Sequence, residues 1–386
     1  MTNAHVLCEE SNLDFESIFR YQYLVAPGRE PLTGMHMLPF GEHTFYVGKQ
    51  LPHSILTDCK GRFFGYVIGI AVDKSGLITG EHQVKSLDLD DTELFSRFAE
   101  YLTDVSGRYA VLCGRGTEQR VYTDPVAMIG CVYDRDSGRV GSSVNLVLDR
   151  EIDYHPKIDH EAVRSRGGKY TLFNTIDAHV KRLNGSFFLD LSTMIDTRFW
   201  PRVDHFERPV SDYPEIYDEI ISVSRHNIGS IASVHKTAMP ISGGRDSRLL
   251  AALAGDHIHE VDQPFTHIVN YSTRYDASIA TLIANHLGIK HEIHSWRQPP
   301  PPQRSKFQYR QDLRGFRTAV GAQVSMPGEM EKNVHQFIDE NQVVLRGHLT
   351  DLLRAVYVFT GKRSKWNEFF WQIRRLFPVP SKEFDE

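Results

Sequence analysis

The chain has 386 residues, enough for two domains with separate cores, and 41% of them are hydrophobic against 24% charged, the balance of an ordinary globular protein. A net charge of −5 speaks against a dedicated nucleic-acid binder, which would carry a basic surplus. The four cysteines, Cys8, Cys59, Cys113 and Cys131, show no C-x-x-C spacing. No basic n-region opens the chain, and no window approaches the roughly 18 apolar residues of a membrane span. A reduced, cytoplasmic protein with no nucleic-acid or membrane partner is expected.

Residues 1–200 read as mostly β. Short apolar or alternating runs recur at Thr44–Val47, Phe63–Ile70, Tyr109–Leu112, Arg120–Thr123 and Gly130–Tyr133, separated by Gly, Asp and Ser, the punctuation of hairpins. One helix is predicted over Asp91–Leu102. Its apolar positions 94, 95, 98, 101 and 102 share a face, and Asp90 or Asp91 stands where a cap belongs.

The second half alternates helix and strand. A helix is predicted from about Ser211 to Val234, with Ile216, Ile220, Ile221, Ile228 and Ile231 as its buried stripe. A strand, Ala238–Ile241, then leads into Ser242-Gly243-Gly244-Arg245-Asp246-Ser247 and a helix, Arg248–Ala254. A second strand, Thr266–Tyr271, precedes a helix from Asp276 to Leu287. A third strand covers 290–296, and a fourth covers Gln342–Leu345. Such alternation predicts a parallel, doubly wound sheet with its ligand at the carboxyl ends of the strands.

Ser242–Ser247 falls at such an end. A strand, a Gly-rich turn and a helix place backbone N–H groups and a helix N-terminus around an anion. Gly243 and Gly244 let the main chain approach it without a Cβ in the way, and Ser242 and Ser247 add hydroxyls. Asp246 would repel a bare phosphate, and a Mg²⁺ between the two resolves that conflict. The competing reading is a plain strand-to-helix turn with Asp246 as a cap. The spacing is neither a Walker loop nor a dinucleotide G-x-G-x-x-G turn. Two histidine pairs, His257/His259 and His291/His294, read as structural rather than as zinc ligands.

The S-G-G-x-D-S run after an apolar strand resembles the pyrophosphate loop of the ATP pyrophosphatases. Within them it is similar to the asparagine synthetase-like group, which includes β-lactam synthetases and lasso-peptide cyclases. Weaker matches keep the family's order. Leu102–Val111 resembles the "L-x-G-x-F-A" strand of class II glutamine amidotransferase domains. Asp124-Pro125 resembles their "R-D-P-x-G" turn, and Lys181–Gly185 their "R-L-x-P-G" exit segment. The resemblance implies an α/β chain in two parts. The first, over 1–200, is a degenerate Ntn-hydrolase-like αββα sandwich. The second, over 208–386, is a doubly wound parallel-sheet ATP-pyrophosphatase domain (adenine nucleotide alpha-hydrolase-like), short at its C-terminus.

The family's G-x-G-x-D-x-x-x-x-x-Tyr segment is matched in register by Gly347, Asp351 and Tyr357. The resemblance implies that Asp246 and Asp351 hold Mg²⁺, with ATP on Ser242, Gly243, Gly244, Asp246, Ser247 and Gly347. Val269, Asn270 and Tyr271 would lie beside the adenine. For Asp351 the competing reading is a helix cap. The implied reaction is amide formation: a small-molecule carboxylate is adenylated, pyrophosphate leaves, and ammonia or an amine displaces AMP. A homodimer or a biosynthetic partner protein is compatible with the family.

Departures bear on activity. Position 2 is Thr where a class II glutaminase has its nucleophilic Cys, and the amine of Cys8 is locked in a peptide bond, so glutaminase activity is not expected. Thr2 as a hydrolase nucleophile is one rival reading. His348, Leu349 and Leu352 replace Glu, Gly and Glu. Lys362, Lys365 and Lys382 do not sit at the distance of the family's adenylation lysine, which leaves a nucleotide-binding pseudoenzyme or complex subunit as the alternative. A tRNA-thiolating relative would need cysteines in the second half, which has none.

Overall fold

Short apolar runs that alternate with turn-formers bury one face each, and two such sheets close on one another. The computed structural model describes residues 1–165, 170, 173–202, 208–295, 306–321, 334 and 337–347. Helices α1 (Asn3–Ser11) and α2 (Phe15–Phe19) open the chain. Strands β1 (Tyr23–Pro27), β2 (His36–Phe40), β3 (His43–Val47), β4 (His53–Thr57), β5 (Phe63–Asp73), β6 (Gly76–Leu77) and β7 (Glu81–Gln83) follow. Helix α3 (Leu94–Thr103) precedes β8 (Ser106–Arg115), β9 (Glu118–Thr123), β10 (Val132–Asp134) and β11 (Arg139–Gly141). Then come α4 (Val144–Val147), α5 (His160–Ser165), β12 (Val180–Arg182), β13 (Phe187–Asp190) and β14 (Ile195–Arg198).

These strands form a six-stranded sheet, ordered β12-β10-β11-β1-β3-β2, and an eight-stranded one, ordered β14-β13-β9-β8-β5-β4-β7 with β6 on β5. Tyr23, Val25, Phe45 and Tyr133 of the first sheet meet Tyr66, Ile68, Leu112 and Val121 of the second in one core. On the far side of the eight-stranded sheet, Val67, Tyr109, Val111 and Tyr122 receive Leu94, Phe95, Phe98 and Leu102 of α3. On the far side of the six-stranded sheet, Leu24, Tyr46 and Val132 receive Val144 and Val147 of α4. The layers thus run helix, sheet, sheet, helix. Gly107 in β8 is obligatory: its φ is 134°, and a Cβ there would lie 2.2 Å from the Ile70 carbonyl oxygen of β5.

The first half holds five helices among the described residues, where the sequence predicted one. Four of them have ten residues' periodicity at no point, being only four to nine residues long. The cap of α3 also differs. Asp91 acts from outside the helix, Oδ1 accepting from the Glu93 N–H at 2.8 Å.

The second half contains α6 (Tyr213–Ala232), β15 (Thr237–Pro240), α7 (Arg245–Ala254), β16 (Gln263–Ile268), α8 (Tyr271–Leu287), β17 (Glu292–Ser295), α9 (Lys306–Val320) and β18 (Val343–Val344). Its four strands are ordered β17-β16-β15-β18, and every pairing is parallel. Met239 of β15 packs with Ile228 of α6, with Ala251 and Ala254 of α7, and with Leu345. The chain is therefore mixed α/β, with one parallel sheet beside two largely antiparallel ones. No helix among the described residues is long and apolar enough to cross a membrane.

Two predicted boundaries shift. Helix α8 begins at Tyr271 rather than Asp276, because Asn270 and Thr273 form a reciprocal capping box, and β16 correspondingly ends at Ile268. The predicted stripe of α6 is buried only at Ile228, while Ile221 is 38% exposed.

Among the described residues the halves touch in several places, one of them at Glu340, whose carbonyl accepts from the Tyr21 hydroxyl at 3.4 Å. His226 of α6 lies 2.8 Å, through Nε2, from the Asp73 carbonyl. Helix α9 docks on α1, α2 and α4, where Asn145 Nδ2 donates to the Thr318 carbonyl at 2.8 Å and Gln22 Nε2 to that of Ala319 at 2.9 Å.

Candidate functional site

In a parallel sheet, the crevice forms where the strand order reverses, at the carboxyl ends of the strands. Here β15 is the reversal point, with β16 on one side and β18 on the other. Ser242, Gly243 and Gly244 connect β15 to α7, with Gly244 as the N-cap in an extended conformation. Asp246 lies in the first turn of α7, where a carboxylate complements the helix dipole. A cleft of about 480 Å³ opens at this point, within the range of small-molecule sites. Its walls include Ser242, Gly244, Asp246, Ser247, Val269 and Gly347.

The loop is closed by its own hydroxyls. Ser247 Oγ accepts from the Ser242 N–H at 3.0 Å and lies 2.8 Å from Ser242 Oγ. Ser242 Oγ in turn accepts from the Gly244 N–H at 3.1 Å. The Gly243 N–H donates to Asp276 Oδ1 of α8 at 3.1 Å. A Cβ at 243 would fall 2.8 Å from both Asp276 Oδ1 and Ile279 Cδ1, so those two side-chain tips would have to shift.

From the other side, the chain leaving β18 brings Arg346 and Gly347 to the cleft. A Cβ at 347 would lie 2.8 Å from the Asp246 carbonyl oxygen. The two anchor segments of the sequence, about a hundred residues apart, thus meet backbone to backbone.

The other sequence-predicted positions fall differently. Val269 lines the cleft, and its N–H donates to Thr273 Oγ1 at 2.9 Å. Asn270 Oδ1 is engaged as the cap of α8, accepting from the Thr273 N–H at 2.9 Å. Tyr271 is 71% exposed, with its hydroxyl 2.7 Å from that of Tyr275. Neither Asn270 nor Tyr271 is among the cleft's lining residues. Asp351 lies outside the described residues, as do His348, Leu349, Leu352, Tyr357, Lys362, Lys365 and Lys382.

Asp276, Thr266 and Arg346 also line the cleft and were not picked out from sequence. For Asp276 the signal was the Asn270–Thr273 capping pair. Once α8 starts at Tyr271, position 276 falls in its second turn and faces the loop. Thr266 Oγ1 sits between the Ile241 carbonyl, at 2.5 Å, and His291 Nε2, at 2.8 Å. His291 is held below its usual pKa by burial. His294 stacks on Phe337 with centroids 4.1 Å apart. Among the described residues, no group of three or more His, Cys, Asp or Glu side chains could hold a metal.

At the N-terminus, Thr2 is buried and caps α1, its Oγ1 lying 2.9 Å from His5 Nδ1. Cys8 is buried in a cluster with Ala4, Phe19 and Leu146. Burial pushes its thiol up to about 11, so at neutral pH it is not a thiolate nucleophile.

No family model matches the chain, and no curated protein does. Among solved structures, one match is the glutamine-dependent NAD+ synthetase from Acinetobacter baumannii, in complex with adenosine diphosphate. Identity is 15% and the TM-score 0.24, over 55% of this chain. The match spans 44% of the length of that protein.

Proposed function

We propose that the second half binds ATP and that the chain is an AMP-forming, amide-forming ligase of the asparagine synthetase kind. One observation carries this reading: the S-G-G-R-D-S loop stands at the reversal point of a parallel sheet and faces Gly347 across the cleft. A Cβ at 347 would press on the Asp246 carbonyl and one at 243 on the side-chain tips of Asp276 and Ile279, so the two glycines let these segments pack closely around the cleft.

Asp246 and Asp276 supply hard oxygen donors on the cleft wall, the ligand type Mg²⁺ takes, with phosphate oxygens and water completing its shell. Asp246 would hold the ion together with Asp351. When bound, Mg²⁺ would supply positive charge against the pyrophosphate leaving group. The hydroxyls of Ser242 and Ser247 and the N–H groups of Gly243 and Gly244 would turn from their internal partners to the phosphate oxygens. Charge building on the leaving group would then meet a cluster of donors from one loop. The substrate carboxylate attacks the α-phosphorus and pyrophosphate departs. Ammonia or an amine then attacks the acyl-adenylate and AMP departs.

The test is pyrophosphate exchange into ATP, screened over small carboxylic acids, in the parent and in Asp246→Ala. Loss of a preorganised stabiliser of this kind costs about 10²–10³ in rate. Exchange at the parent rate in Asp246→Ala would refute the metal role.

A second reading is favoured by the Asp276–Gly243 hydrogen bond, in which a carboxylate of the chain occupies a donor that a phosphate needs. On that reading the protein is a nucleotide-binding subunit without turnover. Calorimetric binding of ATP with no AMP formed over the same acids selects it.

A further inference from the structure

A second crevice lies on the outer, helix-covered face of the eight-stranded sheet, in the other half of the chain. It encloses about 430 Å³ among the start of α3, strands β9 and β13, and the chain leaving β14. Arg115, Arg120, Arg198 and Arg202 all line it. Two carboxylates, Glu93 and Glu118, also line it, and Glu118 is engaged with Arg115 at 3.2 Å. Among the described residues, the other three arginines have no ion pair.

Arg120 lies between two rings, its guanidinium carbon 4.0 Å from the Phe95 centroid and 4.3 Å from that of Phe188. Stacking fixes the cation but provides no acceptor, and Nε is buried without a hydrogen-bond partner. Tyr122, fully buried, packs edge-on against Phe199 at 5.1 Å and tilted against Phe188 at 5.6 Å. Its hydroxyl is buried beside the Arg120 guanidinium, which can only donate, so the O–H itself has no acceptor. Burial pushes this phenol up, so it remains an O–H donor at neutral pH.

A buried O–H without an acceptor and a partly buried permanent cation without an anion beside it are both costly. A purely packing role for Arg120 and Tyr122 leaves both costs in place. An oxyanion removes both, because it accepts from each and brings a charge to match the guanidinium. The aromatic walls add a requirement: the rest of the ligand is apolar and flat enough to lie beside phenyl rings. We propose that this crevice binds a small organic oxyanion, a carboxylate or a phosphate monoester. Its head accepts from Arg120 and Tyr122, and its apolar stem lies against Phe95, Phe188 and Phe199. Arg198 and Arg202 attract it at the mouth.

Calorimetric titration of the whole chain with benzoate, phenyl phosphate and inorganic phosphate tests this, with benzamide as the uncharged control. Benzoate or phenyl phosphate is expected to fill one site, and the stronger of the two identifies the head group. Arg120→Gln and Tyr122→Phe are each expected to weaken binding about tenfold. Tyr122→Phe is also expected to raise the melting temperature of the ligand-free chain, because it removes an orphaned hydroxyl. A merely structural tyrosine would not move the two readouts in opposite directions. Should Arg120→Gln fail to fold, the exposed Arg198→Gln takes its place, with a severalfold loss expected. Phosphates could also enter the Ser242–Ser247 cleft, so the titrations are repeated in Ser247→Ala, which must retain binding. No binding of either organic anion at millimolar concentration overturns the proposal. So does parent affinity in both crevice variants, or loss of binding in Ser247→Ala.

Discussion

Gly347 is separated from the Asp246 carbonyl oxygen by less than the thickness of one methyl group: a Cβ at 347 would stand 2.8 Å from that oxygen. The carbonyl belongs to the backbone of α7, which cannot swing aside as a side-chain tip could. The exit of β18 is therefore seated against the first turn of the helix that carries the loop's carboxylate.

Gly347→Ala is accordingly expected to push the β18 exit away from α7. Overpacking against backbone costs about 1–3 kcal/mol, and the displaced atoms line the cleft. A fall of about tenfold or more in ATP affinity is expected, with circular dichroism unchanged, measured by calorimetry with Mg²⁺ present. Parent affinity would show that the contact plays no part in nucleotide binding.

Asp276→Asn keeps an acceptor for the Gly243 N–H while removing a negative charge from the cleft. Like charges brought together in a partly enclosed site repel strongly. Metal-free ATP is therefore expected to bind severalfold tighter to Asp276→Asn than to the parent. Asp276→Ala, which leaves the N–H without an acceptor, is expected to lower the melting temperature. Equal ATP affinity in parent and Asn variant would mean that Asp276 does not face the phosphates.

Ala127 has φ of 50° and stands where the "R-D-P-x-G" turn has its glycine. Its N–H donates to the Asp124 carbonyl at 2.9 Å, and Asp124 Oδ1 accepts from the Val126 N–H at 3.0 Å. The left-handed conformation costs an L-residue about 1–2 kcal/mol, part of which glycine gives back as unfolded-state entropy. Ala127→Gly is expected to stabilise the first half by up to about 1 kcal/mol, seen as a raised denaturation midpoint. A lowered midpoint would count against strain at this turn.

Asp73 is buried, which alone would raise its pKa. Hydrogen bonds from His82, Ser75 and Tyr101 outweigh that and hold the carboxyl well below its usual range. For a carboxyl depressed in the folded state, the stabilisation is present above the unfolded pKa, about 3.9. It is lost as pH falls through the lower folded value. Asp73→Asn is expected to reduce stability at neutral pH and to flatten the dependence of stability on pH below about 4. Parallel pH curves for parent and variant would rule out this linkage.

The cysteines offer a simple chemical check. Cys59 is exposed, while Cys8, Cys113 and Cys131 are buried, and burial pushes the Cys131 thiol up to about 12. Brief iodoacetamide treatment of the folded chain is expected to add one carboxamidomethyl group, at Cys59, by intact mass and peptide mapping. Modification of Cys8 at a comparable rate would show that the N-terminal helix does not hold it inside.

The strand–loop–helix at Ser242–Ser247 was legible because Gly, Ser and Asp punctuate two apolar runs there, and local chemistry fixes the turn. Gly347 was found through register with a family segment. Asp276 was not found, because its contact with Gly243 spans 33 residues and exists only once β15 and β16 pair in parallel. The start of α8 was misjudged for a local reason. An Asn–Thr capping pair was read as the end of a strand, since Val269 and Tyr271 on either side favour extended structure. Helices α1 and α2 were missed because they are short and bury little: Asn3, Ala4 and Cys8 in one, Phe19 in the other. The arginines of the second crevice come from β8, β9, β14 and the chain beyond it, and no sequence pattern links them.

The amide of Asn145 joins the halves: its Oδ1 accepts from Asn3 Nδ2 at 3.2 Å in the first half, and its Nδ2 donates to the Thr318 carbonyl at 2.8 Å in the second. Separating the halves would break that hydrogen bond and expose the seat of α9 to water. Separately produced halves should consequently need each other to stay dissolved. Their divorce would be visible as aggregation, well before any question of chemistry arises.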